Sequence, residues 1–204
     1  MTGKNMFSNK DALNFLLVGV GGQGTILASD VIADLGLELG YDVKKAEVHG
    51  MSQRGGSVVS HVRWGQQVFS PTSSKGNVDV LLAFEKLEAA RYIEYLNSDG
   101  VAFINNHAIS PITVSTGKVD YPDDKALETA VKKVAANIFW LDCIQIAESI
   151  GNVKTANVVL LGALSSLLAQ QQYTWLKVIE KRVPQKLVSI NLDAFKAGMD
   201  SIDI

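Results

Sequence analysis

Short, nearly unbroken apolar runs alternate along this chain with longer segments whose apolar residues return every three or four positions. Leu13–Val20 is such a run, bounded by glycine, and reads as a strand buried on both faces. Ile26, Leu27, Val31, Ile32, Leu35 and Leu39 then recur at helical spacing, predicting a helix from Gly24 to Leu39 that stops at Gly40. Tyr41–Val48 predicts a second strand, parallel to the first through a right-handed crossover. Ser57–Trp64 alternates in the β manner, with Ser57, Val59, His61 and Arg63 on one face. Val68–Ser70 is expected to pair with it as a hairpin across the Gly65 turn.

Further on, Val78–Phe84, Val101–Asn105, Ile112–Ser115 and Ile138–Leu141 predict strands. Glu85–Leu96, closed by Asp99-Gly100, and Asp123–Ala136 predict the helices between them. From Asp142 the pattern turns helical. An apolar stretch over Ala156–Leu168, with Asn157 as a candidate cap or ligand contact, suits either a buried helix or one packed on a partner. Thr174–Val183 and a last helix capped near Asn191 follow. The whole predicts a single α/β domain over residues 1–204. It is a doubly wound, mostly parallel, Rossmann-like sheet with a helical C-terminal layer.

Composition narrows the chemistry. A net charge of −2 gives no electrostatic reason for nucleic acid or a membrane surface as partner. The apolar runs fall well short of the ~20 residues of a membrane span, and Met1 to Asp11 lacks the apolar core of a secretory signal. Cys143 is the only cysteine, which suits a reducing cytoplasm and rules out an iron–sulfur cluster, needing about four thiolates, on this chain. It follows Asp142 at a helix start, where a thiolate is favoured, yet a small buried residue is the expected outcome. His49, His61 and His107 show no metal-ligand spacing, so no metal site is expected.

Two glycine-rich turns carry the candidate chemistry. Gly19-Val20-Gly21-Gly22-Gln23-Gly24 has the G-x-G-x-x-G spacing directly after a buried strand and before a helix. There it can bring backbone close to a phosphate at a helix N-terminus, or serve as a bare tight turn. Gly21, Gly22, Gln23 and Gly24 are the candidate contacts for a dinucleotide, a flavin or coenzyme A. Glu47 lies near the place of a ribose-binding acid, but His49-Gly50-Met51-Ser52-Gln53-Arg54-Gly55-Gly56 is unlike a ribose loop. In that second turn Arg54 offers a fork of donors, Gly55 and Gly56 expose backbone N–H groups, and His49 and Ser52 add side-chain donors. These five are candidate substrate or subunit contacts. The alternative is a solvated turn with Arg54 paired to Glu47.

Gly19-Val-Gly-Gly-Gln-Gly-Thr25, then Glu47-Val-His-Gly-Met-Ser-Gln-Arg-Gly-Gly-Ser57, then His61-Val-Arg63 resemble the gamma-type subunit of pyruvate/2-oxoacid:ferredoxin oxidoreductases. Within that family the second turn is most similar to the indolepyruvate type. Ser70-Pro71 and Asn157–Ala163 also fit. The resemblance implies an enzyme complex that converts a 2-oxoacid, through oxidative decarboxylation, to acyl-CoA, CO2 and reduced ferredoxin. It implies thiamine diphosphate and iron–sulfur clusters on a partner alpha subunit. This chain, with no catalytic residue of its own and inactive alone, would help to hold coenzyme A or the 2-oxoacid, and would meet ferredoxin through the complex. The absence of a cysteine run and of a Gly-Asp-Gly thiamine motif agrees with that division. Two other classes stay open from the residues: a free-standing NAD(P)- or flavin-dependent oxidoreductase, and a non-catalytic ligand-binding module.

Overall fold

The structure is a computed structural model that describes residues 12–49, 56–111, 120–168 and 172–202. Its centre is a six-stranded sheet. The strands are β1 (Ala12–Val20), β2 (Asp42–His49), β3 (Ser57–Gly65), β4 (Val78–Ala83), β5 (Leu96–Asn105) and β6 (Asn137–Leu141). They lie in the order β2-β3-β1-β4-β5-β6, with β3 antiparallel to both neighbours and β1, β4, β5 and β6 parallel.

The helices are α1 (Thr25–Glu38), α2 (Lys86–Tyr92), α3 (Asp124–Lys132), α4 (Cys143–Ile150), α5 (Ala156–Ser165), α6 (Gln172–Arg182) and α7 (Val188–Asp200). Side-chain alternation along β1 builds two cores. Phe15 and Leu17 pack with α1 and the C-terminal helices, while Leu16 and Val18 pack with α2 and α3. The sheet is thus covered on both faces, as a doubly wound fold requires.

Helix ends follow their sequence signals. Past α1, the Gly40 N–H reaches the Leu37 carbonyl and the Tyr41 N–H the Gly36 carbonyl, a Schellman ending at the predicted glycine. Asp123 caps α3 through the Ala126 N–H at 2.7 Å.

β1 and β2 run parallel as expected, with β3 inserted between them. Four expectations are corrected. The Val68–Ser70 hairpin does not form, since both edges of β3 are already taken; the Val68 N–H instead donates to Asp42 at 2.8 Å. Asp99 and Gly100 lie inside β5 rather than ending a helix, and α2 gives way to a 3-10 turn over Ile93–Tyr95. Asn191 is an interior residue of α7, donating to the Leu187 carbonyl at 2.8 Å. Asn157 is not a cap either, and its contact appears below. The Ile112–Ser115 strand lies outside the described residues.

The apolar stretch at α5 is settled as internal core. All but its first residue are buried, and it crosses α7 at backbone contact. A Cβ on Gly162 would sit 2.0 Å from the Phe195 carbonyl oxygen. No helix among the described residues is long and apolar enough to cross a membrane.

Candidate functional site

β1 sends its chain to α1 on one face, while β4 sends its chain to α2 on the other. The carboxyl ends of these two adjacent strands therefore form a topological switch point, the usual place of a ligand crevice in such sheets. A cleft of about 190 Å³ opens there. Gly22, Gln23, Phe84, Asn105, His107, Lys154 and Asn157 are among its walls.

The cleft floor is braced by neutral amides. Gln23 Oε1 accepts the Val20 N–H at 2.7 Å, and its Nε2 donates to the Phe84 carbonyl at 2.7 Å. Asn105 Nδ2 reaches the same carbonyl at 3.2 Å, while its Oδ1 accepts the Cys143 N–H at 3.1 Å. Asn157 Nδ2 donates to the Gly24 carbonyl at 3.2 Å and ties α5 to the first turn. Strand ends and helix starts that share no backbone ladder are joined in this way.

Two glycines answer to that geometry. Gly24 has φ +78°, and a Cβ there would lie 2.4 Å from Asn157 Nδ2, so the third glycine of the motif makes room for α5. Gly22 has φ +104° and faces open space. Its backbone N–H has no partner among the described residues. Gly21 and Gln23 are spent otherwise: the Gly21 N–H donates to the Gly56 carbonyl at 2.9 Å, and the Gln23 N–H to the Val20 carbonyl at 3.1 Å. Helix α1 starts without a side-chain cap and without an acidic residue in its first turn, leaving its positive end toward the turn.

The electrostatics around the cleft favour an anion. Among the described residues, no carboxylate lines it. Lys154 is exposed and has no ion-pair partner among the described residues. Asn157 is buried, and its Oδ1 has no hydrogen-bond partner among the described residues; the same holds for Thr25 Oγ1.

The two glycine turns share one edge. Val20 pairs with Ser57 across β3, His49 pairs with Val58, and the Gly21–Gly56 hydrogen bond closes the gap. Ser57 Oγ also donates to buried Glu88 of α2 at 2.5 Å. Of the second-turn candidates, Gly56 is placed directly. Ser52, Arg54, Gly55 and the His49 side chain lie outside the described residues. Glu47 forms an ion pair with Lys45 at 2.5 Å.

Other singled-out residues have structural work. His61 is buried; its Nδ1 accepts the Ser73 N–H at 3.3 Å, and burial, then the Arg63 charge, lower its pKa. Arg63 binds Asn14 Oδ1 at 2.7 Å and the Ser70 carbonyl at 2.9 Å, far from the cleft. Cys143 is fully buried, and that burial pushes its thiol up to about 12, so the helix-start position does not activate it.

Sequence reasoning missed Asn105, His107 and Lys154 as cleft residues, while it weighed Asn157 as a ligand contact or a helix cap. Asn105 ends the buried strand β5 and His107 lies two residues beyond it, a findable signal at the functional edge. Lys154 and Asn157 arrive only through the packing of α5 and its preceding turn, which no local pattern announces.

The pyruvate ferredoxin/flavodoxin oxidoreductase family model matches residues 14–201. The chain belongs to this family. The indolepyruvate oxidoreductase subunit IorB of Thermococcus kodakarensis is 40% identical over 191 residues, covering 91% of this chain and 94% of that relative. Among solved structures, the keto/oxoacid ferredoxin oxidoreductase gamma subunit of Geobacter sulfurreducens superposes with a TM-score of 0.68 at 23% identity, covering 93% of this chain and 97% of the other. The 2-oxoglutarate:ferredoxin oxidoreductase of Magnetococcus marinus, solved with 2-oxoglutarate, coenzyme A and succinyl-CoA, gives 0.71 at 20% identity, over 94% of this chain and 31% of the other. At these identities the two structures show that the family's members share this α/β fold.

Proposed function

We propose that this chain is the non-thiamine subunit of an indolepyruvate-type 2-oxoacid:ferredoxin oxidoreductase, and that its cleft holds a phosphate-bearing part of coenzyme A. The observation that carries the cleft assignment is the meeting of Lys154, an uncapped helix start and the open Gly22 backbone in a cleft where, among the described residues, Lys154 has no ion-pair partner and no carboxylate lines the wall. Phosphate needs just such a set: a cation, backbone donors and no competing anion. Indolepyruvate as the 2-oxoacid follows the 40% identical relative's name.

The residues present do not suit an iron–sulfur cluster, because the single cysteine, Cys143, is enclosed in the core. The clusters and thiamine diphosphate are therefore assigned to a partner alpha subunit, which ferredoxin meets in the complex. Arg54, Ser52, His49, Gly55 and Gly56 are assigned to contact with the 2-oxoacid or with that partner. A reducing cytoplasm suits the buried free thiol.

The geometry weighs against a free-standing dinucleotide enzyme. With β3 inserted, Glu47 at the end of β2 lies two strand spacings from β1, about 10 Å, where a ribose-binding acid would sit one spacing away. Its ion pair with Lys45 further commits it.

The test is a complex reconstituted with the thiamine-bearing subunit. Lys154→Met is expected to raise the KM for coenzyme A about tenfold, the worth of one charge-assisted contact, with kcat at saturating coenzyme A unchanged. Parental KM in an assembled Lys154→Met complex would remove coenzyme A from this cleft.

A further inference from the structure

We propose that Glu85 is a positioning residue for ligand binding at the cleft: a buried carboxylate that holds the His107–Ile109 wall against the end of β4. The proposal rests on reading the cleft as the coenzyme A site. Glu85 is 1% exposed and stands at the N-cap of α2. Glutamate is not among the residues favoured for that role, which are short and reach the helix N–H groups directly. Asp123 shows the ordinary arrangement at α3, one exposed carboxylate bonded to one backbone N–H.

Glu85 does more. One oxygen accepts the Glu88 N–H at 2.9 Å, which is the cap itself. The other accepts the Ile109 N–H at 3.1 Å and the Tyr121 hydroxyl. The next residue adds to the grip, since the Lys86 N–H donates to the His107 carbonyl at 3.0 Å. His107 and Ile109 both line the cleft. The segment that leaves β5 is thus referenced to β4, the strand beside the glycine turn, by two consecutive residues. Three neutral donors hold the carboxylate in place, and it is not itself among the cleft walls. Its role is to set where His107 and Ile109 stand, and so the width of the cleft opposite Lys154 and Gly22.

An amide in place of this carboxylate has only one accepting oxygen, so at least one of the three donors would face an NH2 group. In the reconstituted complex, Glu85→Gln is expected to raise the KM for coenzyme A about tenfold, with kcat at saturating coenzyme A and the KM for the 2-oxoacid within about twofold of the parent. Tyr121→Phe removes one donor and leaves the carboxylate. It is expected to move the same KM about threefold, again without kcat. A mere folding role would lower the yield of active complex and leave KM alone. Parental coenzyme A KM in Glu85→Gln, or a fall in kcat alone, overturns the proposal; if that variant fails to assemble, a parental KM in Tyr121→Phe does so. Lys154→Met separates the two readings. If it raises KM while the Glu85 and Tyr121 variants do not, only the positioning role falls. If none of the three moves KM, the coenzyme A cleft falls with it.

Discussion

The two edges of the sheet are built with different chemistry. At the amino edge, strand starts are held by charged side chains. Arg63 bridges Asn14 to the Ser70 and Thr72 carbonyls, Asp42 holds the Val68 N–H, and buried Asp79 accepts from the Asn14 N–H at 2.8 Å and Asn97 Nδ2 at 2.8 Å. At the carboxyl edge, the braces that line the cleft are the amides Gln23, Asn105 and Asn157. Its carboxylates Glu85 and Glu88 are not themselves cleft walls, and each is tied to donors, Glu85 to the Ile109 N–H behind one wall and Glu88 to Ser57 Oγ. A charged brace is stronger than a neutral one, so its absence from the cleft calls for a reason. A fixed carboxylate there would repel an anionic ligand and, by pairing with Lys154, would neutralise it. Amides tie the strand ends together and leave the local field to Lys154 and the start of α1.

The largest effect expected from breaking this contrast is at the amino edge. Arg63→Met deletes the fork that holds residues 70–72 and leaves Asn14 Oδ1 without its donor. It should lower stability by about 2–4 kcal/mol, read as a shift in urea midpoint, while coenzyme A affinity of the surviving complex stays at the parental value. An equal loss of affinity would mean that the edges are not independent.

A paired substitution at the carboxyl edge is sharper. Gln23→Met strands the Val20 N–H, leaves the Phe84 carbonyl only its bond from Asn105, and should cost about 1–2 kcal/mol of stability. Gln23→Glu keeps an acceptor for the Val20 N–H but places a carboxylate in the cleft wall. It should cost a similar amount of stability, yet weaken coenzyme A binding about tenfold more than Gln23→Met, with the difference shrinking as salt is raised. Equal affinities in the two variants would show that neutrality at this edge is incidental.

Much of this arrangement is legible along the chain. The apolar runs predict β1, β4 and β6 to within one residue, whereas β5 begins at Leu96, five residues before the expected Val101; β1 and β4 show no alternation because both of their faces are covered. The glycine turn and its edge are equally plain. The sequence does not tell that β3 inserts beside β1, since antiparallel pairing is decided by which edge remains open, a property of the assembled sheet. For the same reason Val68 is misread as a strand residue: its apolar character serves a buried anchor, not a ladder. Gln23 looks like a ligand contact because it stands inside a phosphate motif, whereas its side chain is consumed by backbone 61 residues away. Lys154 and Glu85 show the limit most clearly. Lys154 lines the same cleft as Gly22 and Glu85 holds the Ile109 N–H, and neither association has a local pattern.

The smallest expected effect concerns pH and again separates the edges. His61 supports the segment after β3 as a neutral acceptor, Nδ1 taking the Ser73 N–H. Burial and the Arg63 charge lower its pKa in the folded chain, so the unfolded chain, with an ordinary value of about 6.5, binds more protons as the medium is acidified. Stability should therefore fall as pH drops through about 6.5 and stop falling, for this group, below the folded value. His61→Gln removes the titration and should flatten the dependence of urea midpoint between about pH 7.5 and 5 relative to the parent. Coenzyme A affinity should keep the same pH profile in both proteins, because His61 lies away from the cleft and His107 is the imidazole that lines it. A changed binding profile in His61→Gln would couple His61 to the cleft and join the edges that the braces hold apart.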